Sequence, residues 1–510
     1  MTNAPRRRSI LLVRPSREDL QLVGLYVGKV AFGLGLVQLI PLGVALLQQE
    51  WNSATALAIG AAGAMAMGLS AEIRLHSDRQ LLWSHGLVTV AAAWLVGAML
   101  LAIPLWLSGH WGSYLDATFE AMSGLTATGL SLTQDIDHLP TSMNLLRHLS
   151  QFIGGQGIII VVLTMFASTS GVGTLYVGEG RDDRIVPNII RAARFIYLVA
   201  GTYLVIGTLA LMAAGMVAGL SPIRSLLHSL NLFMASFDTG GFATNSTSIK
   251  FYHSAGVEAV VIVLMIAGTL SFGLHYELWR GRRRDLIENI ETRSLAVTFL
   301  VTCSLLLVAL AQVGVLDGMG SSLRTGVFMI LSAHTTTGFS TVHPNMIGEH
   351  WGLVAPAILV ITMSLGGMAS STAGGMKGIR IALAAKSTVR DIRSTLAPDA
   401  AVIVTSYRAR TRRVLTDGDV RAAMTIIVLF LGTYLLGAVV GVYYGFPLDR
   451  ALFESVSATA NGGLSAGVLS PDNPAVLKAT YLVQMWLGRL EFMTAFAMLG
   501  YIVAIVRGRR

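Results

Sequence analysis

Residues 119–131 read FEAMSGLTATGLS, and three later stretches end the same way: MASFDTGGFAT (234–244), ILSAHTTTGFST (330–341) and FESVSATANGGLSAG (453–467). Each contains a glycine followed by a bulky apolar residue and then a small one, the glycines being Gly129, Gly241, Gly338 and Gly463. In three of the four a serine stands six residues earlier, at Ser123, Ser332 and Ser457. The glycines recur about 100 residues apart, which leaves room for two membrane-crossing helices and a hairpin per interval and defines a fourfold repeat. Each stretch is too apolar for an ordinary connection and too short to cross a bilayer, so it reads as a re-entrant segment.

The chain around these stretches is that of a polytopic membrane protein. Of its 510 residues 53% are hydrophobic and only 13% charged, with mean hydropathy +0.64. A soluble protein carries about a quarter charged residues. Apolar runs of spanning length lie near 25–47, 54–69, 85–107, 149–167, 187–220, 256–278, 295–316, 353–381, 420–444 and 475–506. Residues 1–20 have no apolar centre of the kind a cleavable signal needs, so the first span is expected to be retained. The net charge of +9 comes from short basic clusters at 6–8, 280–284, 408–413 and 507–510, each flanking a span. That pattern orients both termini toward the cytoplasm. It does not suit nucleic acid, which would want a basic domain with stacking aromatics. The single Cys303 rules out an internal disulfide.

Non-helical backbone at membrane depth leaves carbonyls unpaired, which is tolerable only inside protein or beside a water-filled cavity. Four such segments around one axis could present rings of carbonyl oxygens in place of a cation's hydration shell. A short helix ahead of each, such as 114–125, would direct its partly negative C-terminus at the ion. The expected fold is therefore all-α: four helix, pore-loop, helix repeats around a central pore plus two extra N-terminal transmembrane helices. The divisions are 1–84 for the N-terminal addition, 85–180, 181–284, 285–395 and 418–510 for the repeats, and 396–417 for a basic cytoplasmic linker.

Three local features stand out. SLGGMASSTAGGMKG (364–378) is too rich in Gly, Ser and Ala to favour a continuous helix, though a close-packed small-residue helix is the alternative. Arg489, in MWLGRLEFMTAF (485–496), is a charge inside an apolar span and a functional candidate by default. Asp238 takes the place held by Thr126, Thr335 and Ala460 in the other loops. It either attracts cations or anchors its loop, and anchoring is the preferred reading.

These residues resemble the membrane subunit of the Trk/Ktr/HKT superfamily of potassium transporters, of the TrkH-like or KtrB-like type, over nearly the whole chain. The resemblance implies a selectivity filter binding potassium through backbone carbonyls of Gly129, Gly241, Gly338 and Gly463, with Thr128, Gly240, Thr337 and Gly462 just before them. Glycine at all four sites is similar to the potassium-selective members. It further implies an intramembrane gating loop hinged at Gly366, Gly367, Gly374 and Gly375, and Arg489 in the pore beneath the filter. The family also suggests a homodimer in the bacterial inner membrane and a cytosolic ring of nucleotide-binding regulatory subunits, docked on basic inner loops such as 377–421 or else leaving those loops to anionic lipid. Potassium would be substrate, with no cofactor. The alternatives are a potassium-binding subunit of a P-type ATPase complex, a sodium-selective or sodium/proton-coupled transporter, and a non-conducting scaffold.

Enzymatic chemistry is not expected. The chain has no nucleotide-binding glycine motif in strand-to-helix context, no metal-ligand spacing among His148, His228, His275 and His334, and no carboxylate pair suited to acid–base work.

Overall fold

The computed structural model describes residues 15–77, 81–157, 189–314, 318–398, 401, 403–409 and 411–507. The basic cluster at 6–8, most of the 507–510 cluster, the second half of the span expected at 149–167 and the boundary expected between the first two repeats at 180/181 lie outside them.

Three long helices open the fold: α1 (Arg17–Leu47), α2 (Trp51–Arg74) and α3 (Trp83–Leu107). A capping box starts α1, Ser16 Oγ accepting from Asp19 N and Asp19 returning the bond to Ser16 N. From α3 onward the chain repeats one unit four times. The first helices of the repeats are α3, α6 (Ile189–Val217), α10 (Ile290–Val313) and α14 (Asp417–Tyr443). Each is followed by a shorter helix: α4 (Tyr114–Leu125), α7 (Pro222–Phe237), α11 (Gly318–His334) and α15 (Leu448–Thr459). At 1.5 Å per residue these short helices stop partway through a bilayer of about 30 Å. The glycine loops continue from their C-termini.

The second helices of the repeats depart from the sequence reading, which expects a break only in the third. In repeat 2, α8 (Ala255–Thr269) and α9 (Phe272–Trp279) meet at 101°. In repeat 4, α16 (Ala475–Arg489) and α17 (Met493–Arg507) meet at 110°. In repeat 3, α12 (Val354–Leu365) and α13 (Gly378–Leu396) flank a buried loop at 366–377, while α5 (Thr141–Gln156) of repeat 1 ends at Gly157. Among the described residues six helices are long and apolar enough to cross a membrane alone, or eight if each bent pair counts as one. The other two of the ten expected spans are the one split by the loop and the one that leaves the described residues.

An antiparallel hairpin, Ser406–Arg408 with Arg412–Val414, lies between α13 and α14. It buries Tyr407 against Ile290, Leu383 and Leu415. Several charges of the expected basic face at 377–421 are already engaged. Lys377 is buried, Arg380 pairs with Glu491, Arg390 lies 2.9 Å from Asp417, and Arg408 binds Glu288 and, at 2.8 Å, Asp285. Arg393, Arg412 and Arg421 remain exposed.

Candidate functional site

The four loops share one backbone conformation. Two residues before each glycine the chain is left-handed, with φ +50° at Ala127, +50° at Thr239, +53° at Thr336 and +54° at Asn461. The glycines follow at +95° (Gly129), +73° (Gly241), +92° (Gly338) and +71° (Gly463). Side-chain-bearing residues resist that region by about 1–2 kcal/mol each.

The loops also meet in a closed ring. A Cβ placed on Gly129 would stand 2.4 Å from Gly240 O, one on Gly241 1.9 Å from Thr337 O, one on Gly338 2.9 Å from Gly462 O, and one on Gly463 2.2 Å from Thr128 O. Each loop thus lays the carbonyl before its glycine against the neighbouring loop's glycine, in the order first, second, third, fourth and back to first. All eight residues singled out in the sequence, Thr128, Gly129, Gly240, Gly241, Thr337, Gly338, Gly462 and Gly463, come together here. All four glycines line one cavity of about 210 Å³, which Ile136, Ser246 and His343 also border. On the other side lies a cavity of about 30 Å³, lined by Asn461, Gly374, Arg489 and neighbours, room for about one or two waters.

The shared serines are not equivalent. Ser123 Oγ accepts from Gly129 N at 3.1 Å, Ser332 Oγ donates to Phe339 O at 2.6 Å, and the buried Ser457 hydroxyl has no hydrogen-bond partner among the described residues. Asp238, buried at the end of α7, accepts from Gln156 Nε2 at 2.6 Å. It is absent from the lining of the 210 Å³ cavity. That bond ties the second loop to a side chain of α5.

A layer of polar support around the ring was not singled out in the sequence. Glu120, fully buried on α4, accepts from Leu132 N at 2.8 Å and Ser131 Oγ at 2.9 Å, and pairs with Arg147 Nε at 2.7 Å. Arg147 in turn lies 4.2 Å over the Phe242 ring. In repeat 4 Glu454 takes the same position and accepts from Ala466 N at 3.1 Å and Ser465 Oγ at 2.9 Å. Gln151 reaches from α5 to Gly240 O and accepts from Phe242 N. The signal was a Phe-Glu pair in two of the four stretches, a carboxylate within an apolar setting. Removing one member of a buried ion pair costs about 3–5 kcal/mol. Arg147→Met is therefore expected to lower thermal stability in detergent sharply, and Arg147→Met with Glu120→Gln to recover part of the loss. Equal stability of the single variant and the parent would contradict the role given to this pair.

Beneath the ring, the loop at 366–377 is bonded to three of the four glycine loops or their helices. Thr372 Oγ1 donates to Gly268 O (2.9 Å) and Phe237 O (3.1 Å), Gly374 N to Thr336 Oγ1 (2.7 Å), and Gly375 N to Ala460 O (2.9 Å). The four glycines named here divide their work. Gly366 (φ +69°) and Gly375 (φ +74°) need the left-handed region. At Gly367 and Gly374 the need is space, since a Cβ would stand 2.4 Å from Ala373 Cβ and 2.1 Å from Ala460 O.

Arg489 is not mid-helix as the apolar run implied. It is the last residue of α16, at the bend, where Glu491 and Phe492 are left-handed. Nη1 donates to Thr372 O at 2.7 Å and Nη2 to Gly154 O at 2.9 Å. The guanidinium so bridges the loop and repeat 1, with Lys377, Arg380 and Glu491 close behind it. His148, His275 and His334 are hydrogen-bonded within the core, to Asn144 O, Ala267 O and Thr298 Oγ1.

Comparison with known proteins returns one family. A family model for TrkH, described as a cation transport protein, matches residues 55–500. An uncharacterized cation transporter of Methanocaldococcus jannaschii is 30% identical over 425 residues, covering 82% of each chain. The Trk system potassium uptake protein TrkH of Halomonas elongata is 30% identical over 434 residues, 82% of this chain and 86% of that one. The crystal structure of the potassium transporter TrkH from Vibrio parahaemolyticus superimposes with a TM-score of 0.80 at 22% identity, over 94% of this chain and 98% of that one.

Proposed function

This chain belongs to the TrkH family of cation transport proteins, and from that premise we propose that it is the membrane subunit of a potassium uptake system of the bacterial inner membrane. Potassium crosses the ring at Gly129, Gly241, Gly338 and Gly463, where backbone carbonyls stand in for its hydration shell. The loop hinged at Gly366 and Gly375, with Gly367 and Gly374 in its close contacts, is the gate, and Arg489 is its electrostatic and mechanical latch. The N-terminal pair (1–84) supports four pore repeats (85–180, 181–284, 285–395, 418–510), and the linker at 396–417 faces the cytoplasm with both termini. The protein works as a homodimer, one pore per protomer. A cytosolic ring of nucleotide-binding subunits docks on the inner face, where Arg393, Arg412 and Arg421 are exposed. As a transporter of this family it is not an enzyme and needs no cofactor.

The observation that carries the reading is the cyclic contact of the four glycine loops, in which each glycine meets the next repeat's carbonyl. A structural scaffold has no use for four strained loops of like backbone closing on one axis, and an alternating-access carrier built from inverted repeats would not bring all four to the same level. Reversal potentials of the purified protein in bilayers, with potassium on one side and sodium on the other, test it. The expected result is a potential close to that of a potassium-selective pathway. A potential indifferent to exchanging the two cations would refute the filter.

Asp238 separates attraction from anchoring. Asp238→Asn keeps an oxygen for Gln156 Nε2, and the potassium concentration for half-maximal uptake is expected to stay within about twofold of the parent, whereas Asp238→Leu removes a buried acceptor and is expected to reduce folded protein. A large loss of potassium affinity in Asp238→Asn at normal expression would favour attraction instead.

A further inference from the structure

Helix α5 has no cap from its own segment. Its N-cap position is Pro140, which offers no side-chain acceptor, and its first turn holds no acidic residue. Ser, Thr, Asp or Asn ordinarily takes up the free N–H groups at such an end. Here the acceptor comes from 91 residues earlier in the chain. Glu50, in the connection between α1 and α2, accepts from Thr141 N on Oε1 at 2.8 Å and from Ser142 N on Oε2 at 3.1 Å, and Ser142 Oγ donates to the same Oε2. One carboxylate thus grips two successive N–H groups at the end of the helix where its dipole favours negative charge. Glu50 is also the N-cap residue of α2, yet it gives that helix no side-chain bond. Its backbone is held from both sides, Glu50 N donating to Ala45 O at 2.9 Å and Ala54 N to Glu50 O at 2.8 Å. The side chain is therefore a short strut from a fixed turn to the start of α5.

What α5 carries makes its position matter. It is wedged between the first two glycine loops. Toward the first, a Cβ on Gly154 would stand 1.8 Å from Leu125 O at the end of α4, and toward the second, one on Gly155 would stand 2.5 Å from Asp238 Cβ. His148 Nε2 lies 3.0 Å from Phe242 O, and Gln151 Nε2 donates to Gly240 O. Gly240 O is the same carbonyl that faces Gly129 across the seam between the first and second loops. With contacts at 148, 151, 154 and 155, α5 cannot slide along its axis without dragging the second loop. Its axial position is set at the opposite end, by Glu50.

We propose that Glu50 is a positioning residue for ion selectivity: through it the N-terminal helix pair fixes the height of α5, and α5, through Gln151, fixes the Gly240 carbonyl against the first loop. The proposal rests on the filter reading above and deepens it, because it makes α1 and α2 part of the selective pathway rather than a membrane anchor beside it. Glu50 acts on the geometry of the ring and never touches the ion. A ring of carbonyls discriminates between cations by the number and placement of its oxygens, so a strut that holds one of them in register contributes to discrimination even from outside the pore.

The test separates the strut from ordinary helix capping. The full-length protein is placed in bilayers, its potassium-to-sodium permeability ratio is read from reversal potentials, and thermal stability in detergent is measured in parallel. Glu50→Ala is expected to lower the ratio at least about fivefold, since small displacements in a geometry-dependent site carry large penalties. Pro140→Ser supplies a hydroxyl at the N-cap of α5 from its own segment, without any link to the N-terminal pair. Glu50→Ala combined with Pro140→Ser is expected to regain thermal stability while its permeability ratio stays low, and Pro140→Ser alone is expected to match the parent in the ratio. A parent-like ratio in Glu50→Ala, or a full return of the ratio in the doubly substituted protein, overturns the proposal, the second outcome because local capping would then account for everything Glu50 does. If the parent itself shows no preference for potassium, the filter reading fails. A selective parent whose ratio survives Glu50→Ala removes the strut alone.

Discussion

Gly241→Ala is expected to abolish potassium-dependent growth of a transport-deficient host while the protein still reaches the membrane. Two costs combine at this position. The backbone sits at φ +73°, where a Cβ costs about 1–2 kcal/mol, and that Cβ would stand 1.9 Å from Thr337 O and 2.9 Å from Thr337 C. Backbone of a neighbouring loop cannot rotate away as a side chain can, so the second and third loops must part. A shift of about 1 Å in a geometry-dependent site costs on the order of 100-fold, and uptake is expected to fall at least that far. Gly445→Ala is the matched control. Gly445 has φ +91° with nothing within 4 Å of the added carbon, so the variant carries the strain without the collision and is expected to transport normally. Parallel failure of both variants would mean that strain alone, and not the ring, explains the loss. Normal uptake by Gly241→Ala would remove the ring from the transport path.

The repeated loops were legible because the feature that repeats is chemical. Glycine at one backbone position in each of four segments survives as a motif even where flanking residues diverge, and the short helix expected at 114–125 is the helix that forms. The breaks in the second helices were not legible by the same means. Around Leu270 and Ser271 there is no Pro, and Gly268 and Gly273 are only two glycines in an otherwise apolar run, so hydropathy averaged over a window passes straight through a bend of 101°. At the fourth repeat a signal did exist. Arg489 and Glu491 two residues apart inside an apolar run are easier to accommodate at an interruption than in a continuous span. Taking Arg489 alone as a charge in mid-helix concealed it. Lys377 was misread for a related reason. It belongs by position to a basic inner segment, but its ammonium turns back to Ala373 O under the loop, a placement that depends on the fold of 366–377 and has no trace in local composition.

Arg489→Ala is expected to raise potassium flux in the absence of any regulatory subunit by at least about tenfold, the consequence of a closed state losing 1.4 kcal/mol or more. The guanidinium makes two charge-assisted bonds to carbonyls on different elements, Thr372 O of the loop and Gly154 O of repeat 1, each worth about 1.5–3 kcal/mol. The bonds that tie the loop to the third and fourth glycine loops, Gly374 N to Thr336 Oγ1 and Gly375 N to Ala460 O, are neutral and weaker, and the charge-assisted bond from Ala369 N to the Glu291 carboxylate holds only the loop's far end. Removal of the side chain also deletes a fixed positive charge from the path of a cation, which lowers the barrier to passage. Arg489→Lys separates the two effects, because it keeps the charge but lacks the planar fork that spans two acceptors. If Lys leaks as much as Ala, tethering holds the gate. If Lys behaves as Arg, repulsion does, and the bridge to Gly154 is incidental. Stopped-flow potassium flux in liposomes reads all three variants, and parent-like flux in Arg489→Ala would place the gate elsewhere in the pore.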